Sequence, residues 1–406
     1  MVTTESARLS DTGACRRSRK RSAPWQAGRT RDCSTSIAFI LAPPNPSCDS
    51  HKGLVAPFTA GDIACCYGVS ALAALSAPRC SKRTMRLLCP CGTCPYCLMS
   101  PDIGIAHVSV YLPPRVDDVG SWGQRTGHSD ATVMQLERAG VRYYCDANGQ
   151  TAISLAASAI ERLLLTSGVA PRAVDCIVYV HTLQGSVAPP PHSLPGLLCD
   201  RFGFTNAEAF SFAQQHCASA LAALRVVRAV FIARPRMKRV LLVGADVMPL
   251  ESERAMQGEG ILSDGAFAAF IERGAAINRL LAITVHASGL GWRGVLANDE
   301  SRLAAQHFFA ARRLIRQTAE QAGFTLAHIQ RILPHHLDLP AWRRVLDSLQ
   351  VPQDRLFADN FARIGHVTVS DAFINLAQCE GLVAGRPLLL FARGVGGFSA
   401  AALLVR

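Results

Sequence analysis

From residue 103 onward, short apolar runs alternate with longer stretches whose apolar positions recur every three or four residues, and this alternation predicts an α/β protein. Strands are expected at 107–112, 174–182, 238–247, 266–272, 280–288, 328–336, 387–394 and 399–405. Helices are expected at about 149–168, 217–233, 302–322, 338–349 and 370–384. The unbroken apolar runs IVYV (177–180) and VLLVGA (240–245) predict sheets covered on both faces, and the later hairpin-like runs predict mixed pairing. The pattern therefore reads as two linked α/β halves rather than a simple dinucleotide-binding fold.

Residues 1–98 lack either period over useful lengths and combine RRSRKR (Arg16–Arg21) with the Pro-rich turn APPNPS (42–47). They read as a disordered extension, or as non-native sequence ahead of a true start at Met99. The apolar stretch 63–75 is too short for an ordinary membrane span and too far from Met1 for a secretory signal. With no twenty-residue apolar run elsewhere, a soluble cytoplasmic protein without membrane attachment is expected.

Composition sharpens this division. The chain has 406 residues, a net charge of +12 and 15 cysteines, but 13 Lys/Arg against 5 Asp/Glu and ten of the cysteines lie in 1–98. The remainder carries 29 Lys/Arg against 25 Asp/Glu and only Cys145, Cys176, Cys199, Cys217 and Cys379. Four thiols crowd into Cys89–Cys97, a spacing too tight for a compact tetrahedral wrap, so no metal is expected. The basic tail lacks an aromatic platform or a recognition helix, so no nucleic-acid partner is expected either.

Cys217 stands where polar residues give way to a long small-residue and apolar helix pattern, QQHCASALAAL. A helix starting there places the sulfur near unsatisfied amides and the positive end of a dipole, which suits a nucleophilic thiolate. The same residues equally suit a buried structural cysteine at a crowded helix start. Imidazoles that could serve it occur at a strand end, His335 and His336, and in a Gly-flanked turn, His366. Gly394, Gly396 and Gly397 form a turn that either lends an amide to an oxyanion hole with the Cys217 amide or makes only a tight hairpin. Asp264 in SDGAF reads as scaffold, and Arg312, Arg313 and Arg316 could meet an acidic carrier or only solvate their helix.

The order of VDCIVYVHT, QQHCASALAAL, RVLLVGADV, LSDGAFAAFIE, LPHHLD, ARIGHVTVSDAF and GVGGFSAAALLVR resembles the thiolase-fold condensing enzymes, specifically the β-ketoacyl-acyl-carrier-protein synthase III branch, over 103–406. The resemblance implies two similar halves in a five-layer αβαβα arrangement, divided at 99–272 and 273–406, and a homodimer. It implies acyl transfer from a coenzyme A or acyl-carrier-protein thioester to Cys217, then condensation with a malonyl-type thioester to a β-ketoacyl product, without metal or cofactor. Cys217 matches the nucleophile, His335 the first catalytic histidine and Gly397 the oxyanion-hole glycine. His366 stands where the family has a catalytic asparagine, giving the Cys-His-His set of the elongating branch; Asp338 replaces a supporting asparagine. The alternatives are acyl transfer to an alcohol or amine without decarboxylation, and a non-catalytic partner subunit.

Overall fold

The computed structural model describes residues 101–256, 258–288 and 300–406, with side chains described from 305 in the last segment. The expectations for 1–98, including the Cys89–Cys97 cluster, lie outside the described residues.

The first half of the fold contains β1 (Ile103–Tyr111), β2 (Arg115–Asp118), α1 (Val119–Thr126), α2 (Asp130–Arg138), β3 (Tyr143–Asp146) and α3 (Ala152–Ser167). It continues through β4 (Cys176–Val180), α4 (Leu194–Phe202), β5 (Glu208–Phe212), α5 (Ser219–Ala233), β6 (Arg239–Asp246), β7 (Ala255–Met256), β8 (Gly260–Ile261) and β9 (Gly265–Arg273). The second contains β10 (Arg279–Ala287), α6 (Glu300–Gln321), β11 (Arg331–Leu333), α7 (Leu339–Leu349), α8 (Asp359–Ile364), α9 (Asp371–Gln378), β12 (Pro387–Gly394) and β13 (Phe398–Val405). Local chemistry fixes several boundaries. Thr151 and Ser154 form a reciprocal capping box at the start of α3, and Gly168, at φ +66°, ends it in a left-handed turn.

Nine strands join in the order β11-β12-β13-β10-β1-β9-β6-β4-β5. The junction between halves is a single residue pair, Gly104 with Arg279, whereas β1 pairs with β9 from Ile103 to Tyr111. On either side of it the order repeats: β1, β9, β6 and β4 in one half correspond to β10, β13, β12 and β11 in the other. Alternation along the strands separates three cores. Val178, Val180, Val240 and Leu242 face α5 and α9 together with Leu388, Leu390, Ala400 and Ala402. Their neighbours Ile177, Tyr179, Leu241 and Val243 pack on α3. Leu389, Phe391 and Leu403 pack on α6 and α7. Helix, sheet, helix, sheet and helix thus form five layers, with α5 and α9 in the middle one.

The expected elements appear with three corrections. The run 328–336 contributes only three residues of strand, because a 3₁₀ turn (Leu326–His328) precedes it and Pro334 lacks the N–H to continue it. The helix expected over 370–384 ends at Gln378, before Gly381 and Gly385 adopt positive φ. Sequence periodicity also missed β2, α1, α2, β3, α4, β5, β7, β8 and α8, all of nine residues or fewer. Among the described residues one stretch is long and apolar enough to cross a membrane, His216–Ala233, and it comprises α5 and its leading turn, in the middle layer.

Candidate active site

Cys217 occupies the centre of a 3₁₀ turn, His216–Ala218, that runs directly into α5, and its residue is only 2% exposed. The approach is strained: Gln214 and His216 both hold positive φ, +71° and +50°. The turn is held by the Ala218 N–H donating to the Gln215 carbonyl at 3.1 Å and the Gln215 N–H donating to Ser219 Oγ at 3.3 Å. β12 ends against it. A side chain at Gly394 would overlap the Gln215 carbonyl oxygen, so only glycine lets the strand pass beneath the cysteine turn.

His366 follows α8 and Gly365, and its backbone is clamped to the end of β8 and the residues just after it. The His366 N–H donates to the Ile261 carbonyl and the Ser263 N–H donates to the His366 carbonyl, each at 2.9 Å. The ring bridges the cysteine sulfur and a carboxylate. Nε2 lies 3.2 Å from Cys217 Sγ, and Nδ1 lies 2.5 Å from Asp371 Oδ2. Burial alone would favour the neutral ring, but Asp371 and Cys217 outweigh it and push the His366 pKa up to about 10.

Asp371 is the first residue of α9, where a helix dipole favours an anion. Its carboxylate also accepts the backbone N–H groups of Val367 and His336, each at 2.7 Å. Burial would raise its pKa, yet His336 and His366 hold the carboxyl far below the usual range. Sulfur, imidazole and carboxylate therefore form a continuous buried chain.

His335 faces another way. Its ring packs beside Trp342 and Phe391, at centroid distances of 5.3 and 5.8 Å, and 6.4 Å from the His366 ring. Burial, reinforced by the positive charges of Arg393 and His366, drives its pKa well below the ordinary histidine value. Nδ1 has no protein partner. The ring lines a cavity of about 290 Å³ whose walls include Phe308, Leu337, Trp342 and Phe391, with Arg393 and its carboxylate partner Glu259. A neutral imidazole with an unused nitrogen thus faces a space able to hold a small group.

The structure therefore brings Cys217, His335 and His366 together. Gly397, at φ +89°, packs on Ser288, whose N–H donates to its carbonyl at 3.1 Å. The glycine in contact with the cysteine turn is Gly394. Asp264 binds Arg254 through both oxygens, at 3.1 and 2.9 Å, and accepts the Ala147 and Met248 amides, which is scaffold work. Asp338 caps α7 through the Ala341 N–H at 2.9 Å. Arg312, Arg313 and Arg316 line a surface cleft with Phe309 and Glu320. No cluster of metal-ligating side chains occurs among the described residues.

Sequence reasoning did not single out Asp371, and it offered His336 only as one of the imidazoles that could serve Cys217. The available signal for Asp371 was an acid at a helix start five residues after a histidine. His336 was visible beside His335, but neighbours leaving a strand point to opposite sides; His335 turns to the cavity and His336 to α9.

Residues 213–289 match the family model for 3-oxoacyl-[acyl-carrier-protein (ACP)] synthase III, and residues 319–406 match its C-terminal counterpart. The β-ketoacyl-[acyl-carrier-protein] synthase III of Methylococcus capsulatus is 25% identical over 324 residues, covering 74% of this chain and 98% of that protein. The solved 3-oxoacyl-[acyl-carrier-protein] synthase III of Aquifex aeolicus aligns with a TM-score of 0.66 at 21% identity, covering 75% of this chain and all 100% of that one. ChlB3, described as an acyltransferase, aligns with a TM-score of 0.66 at 22% identity over 75% of this chain and 98% of its own.

Proposed function

The chain is a synthase III-like enzyme of the thiolase fold, and from that premise we propose that it loads an acyl group onto Cys217 and condenses it with a malonyl-type thioester. The observation that carries this reading is the 3.2 Å approach of His366 Nε2 to Cys217 Sγ, backed by Asp371 at 2.5 Å. A protonated His366 pairs with the sulfur anion. The sulfur lone pair attacks the thioester carbonyl, the donor C–S bond breaks, and the departing thiolate takes the His366 proton. The Cys217 amide and the Gly397 amide are the proposed donors to the tetrahedral oxyanion.

His335 then serves the second substrate. Its depressed pKa keeps it neutral, so one nitrogen donates while the other accepts. Directed at the malonyl thioester oxygen, the N–H stabilises the enolate as the C–C bond to the carboxylate breaks and carbon dioxide leaves. The enolate carbon attacks the acyl carbonyl, and Cys217 departs as thiolate. The half from 99 to 272 supplies the nucleophile in this scheme and the half from 273 to 406 supplies both histidines. The donors are acyl-coenzyme A or acyl-carrier-protein thioesters, and the reaction needs no resident cofactor. A cytoplasmic homodimer is the proposed setting.

One observation favours a second reading, transfer to an alcohol or amine. The Cys217–His366–Asp371 chain has the layout of a nucleophile, a general base and an orienting carboxylate, so His366 could take a hydroxyl proton once the donor thiolate has left. The fold match to ChlB3, an acyltransferase, is in keeping with it. Product analysis separates the two. Acyl-loaded protein given a malonyl carrier thioester should release carbon dioxide in step with a β-keto product; ester or amide formation from an added nucleophile without carbon dioxide would replace condensation by simple transfer.

A further inference from the structure

His336 is fully buried, and both of its ring nitrogens meet oxygen acceptors. Nδ1 lies 2.8 Å from the Gly365 carbonyl and 3.1 Å from Asp371 Oδ1. Neither atom can donate, so Nδ1 carries a proton. Nε2 lies 2.8 Å from Asn375 Oδ1. That amide cannot be turned over, because Asn375 Nδ2 donates to the Pro334 carbonyl at 2.7 Å while Oδ1 also accepts from Asn360 Nδ2 at 2.9 Å. Nε2 therefore carries a proton as well. A ring that donates from both nitrogens is an imidazolium.

We propose that His336 is a cationic positioning residue, the fourth member of a buried charge chain running Cys217 thiolate, His366 imidazolium, Asp371 carboxylate, His336 imidazolium. The inference rests on the reading of Cys217 as the acyl acceptor only for its catalytic consequence. With His336 charged the four groups sum to zero. Without that charge they sum to minus one among side chains no more than 2% exposed, and the sulfur anion and the carboxylate then compete for the single His366 proton. The groups facing His336 come from three elements. Asp371 and Asn375 lie on α9, Asn360 and Phe361 on α8, and Gly365 and His366 follow α8; His335 is its chain neighbour. Asp371 is the anion among them.

Two measurements on the full-length protein test this. In ¹⁵N-histidine-labelled protein, the resonance absent from His336→Gln should show two protonated ring nitrogens at neutral pH; a single N–H there overturns the proposal. The glutamine variant keeps an N–H donor and removes the charge. Alkylation of Cys217 by iodoacetamide, followed by intact mass across pH, should have its midpoint moved up by about one pH unit in His336→Gln, the size of a nearby-charge effect. An unchanged midpoint, or a loss of labelling equal at every pH, means that His336 only fills space. If the variant does not fold, the wild-type nitrogen spectrum still decides, with His336 assigned through the contact of its ring with Phe361, 5.6 Å between centroids. Neither readout needs an acyl substrate, so failure of acyl loading with both results as expected would remove the proposed reaction and leave the charge chain standing.

Discussion

The two middle-layer helices, α5 and α9, occupy equivalent places in the two halves, and they begin alike. Each is led by a 3₁₀ turn, His216–Ala218 before α5 and Thr368–Ser370 before α9, and each turn opens on a residue of positive φ, His216 at +50° and Thr368 at +46°. The residue at the centre of the first turn is Cys217; in the second it is Val369. Beyond their turns the helices diverge further. α5 is a 15-residue apolar helix without an acid in its first turn, whereas the 8-residue α9 opens on Asp371. A duplicated fold thus offers two helix starts to one site, each suited to an anion. One holds the sulfur, the other a carboxylate, and His366 spans the gap between them.

Removing the carboxylate breaks this pairing most severely. Asp371→Asn takes the counter-ion from His366 and replaces an acceptor of four donors by an amide that can accept at only one atom. Acyl loading, followed as mass gain with time, is expected to slow by about 10²–10³-fold in protein whose circular dichroism remains native. A loading rate within a fewfold of wild type would mean the second helix start plays no electrostatic part.

His366→Asn sharpens the comparison by keeping a donor and removing the proton acceptor. Some β-keto product is expected to remain, while transfer to added alcohol or amine is lost. Complete loss of condensation, with acyl loading and folding intact, would count against the Cys217–His335–His366 assignment. Gly394→Ala attacks the first helix start from below. The added methyl meets the Gln215 carbonyl, at a cost of about 1–3 kcal/mol. It should appear as a lowered melting temperature together with slower loading, and unchanged melting would mean the strand end yields freely.

Stability also depends on pH, and the sign of that dependence differs on the two sides of the site. His366, with its pKa raised to about 10, contributes stability fully below the unfolded value of 6.5 and loses it as pH rises toward 10. His335, held well below 6.5, and His307, lowered to about 3 chiefly by burial, act oppositely: the folded rings stay neutral while the unfolded ones take up protons. Each such group changes stability by about 1.4 kcal/mol per pH unit within its window. Melting temperature should therefore fall on both sides of about pH 6.5. His335→Asn should flatten the acid limb and His366→Asn the alkaline one; parallel curves for all three proteins would contradict the pKa directions.

Sequence made the α/β order legible because the longer helices and the apolar strands carry a clear period, as in VLLVGA and the α3 segment. Cys217 was legible because small residues crowd a helix start, and His366 because a glycine precedes it in a turn. The short elements were not. β5 is an edge strand, half exposed, with no apolar run to mark it, and α4 begins just past a run of prolines that reads as loop. The pairing of His336 with Asp371 was not legible for another reason: the two are 35 residues apart, and what they do depends on an N–H and a carboxylate brought to 2.7 Å by the packing of α9 behind β11.

Acyl loading at Cys217 is the most direct test of this chemistry. Incubation of the protein with a panel of acyl thioesters should add one acyl mass to wild type, placed on Cys217 by peptide mapping, and none to Cys217→Ala. No adduct on wild type across the panel, or the same adduct on Cys217→Ala, would contradict the claim that this buried sulfur is the acyl acceptor.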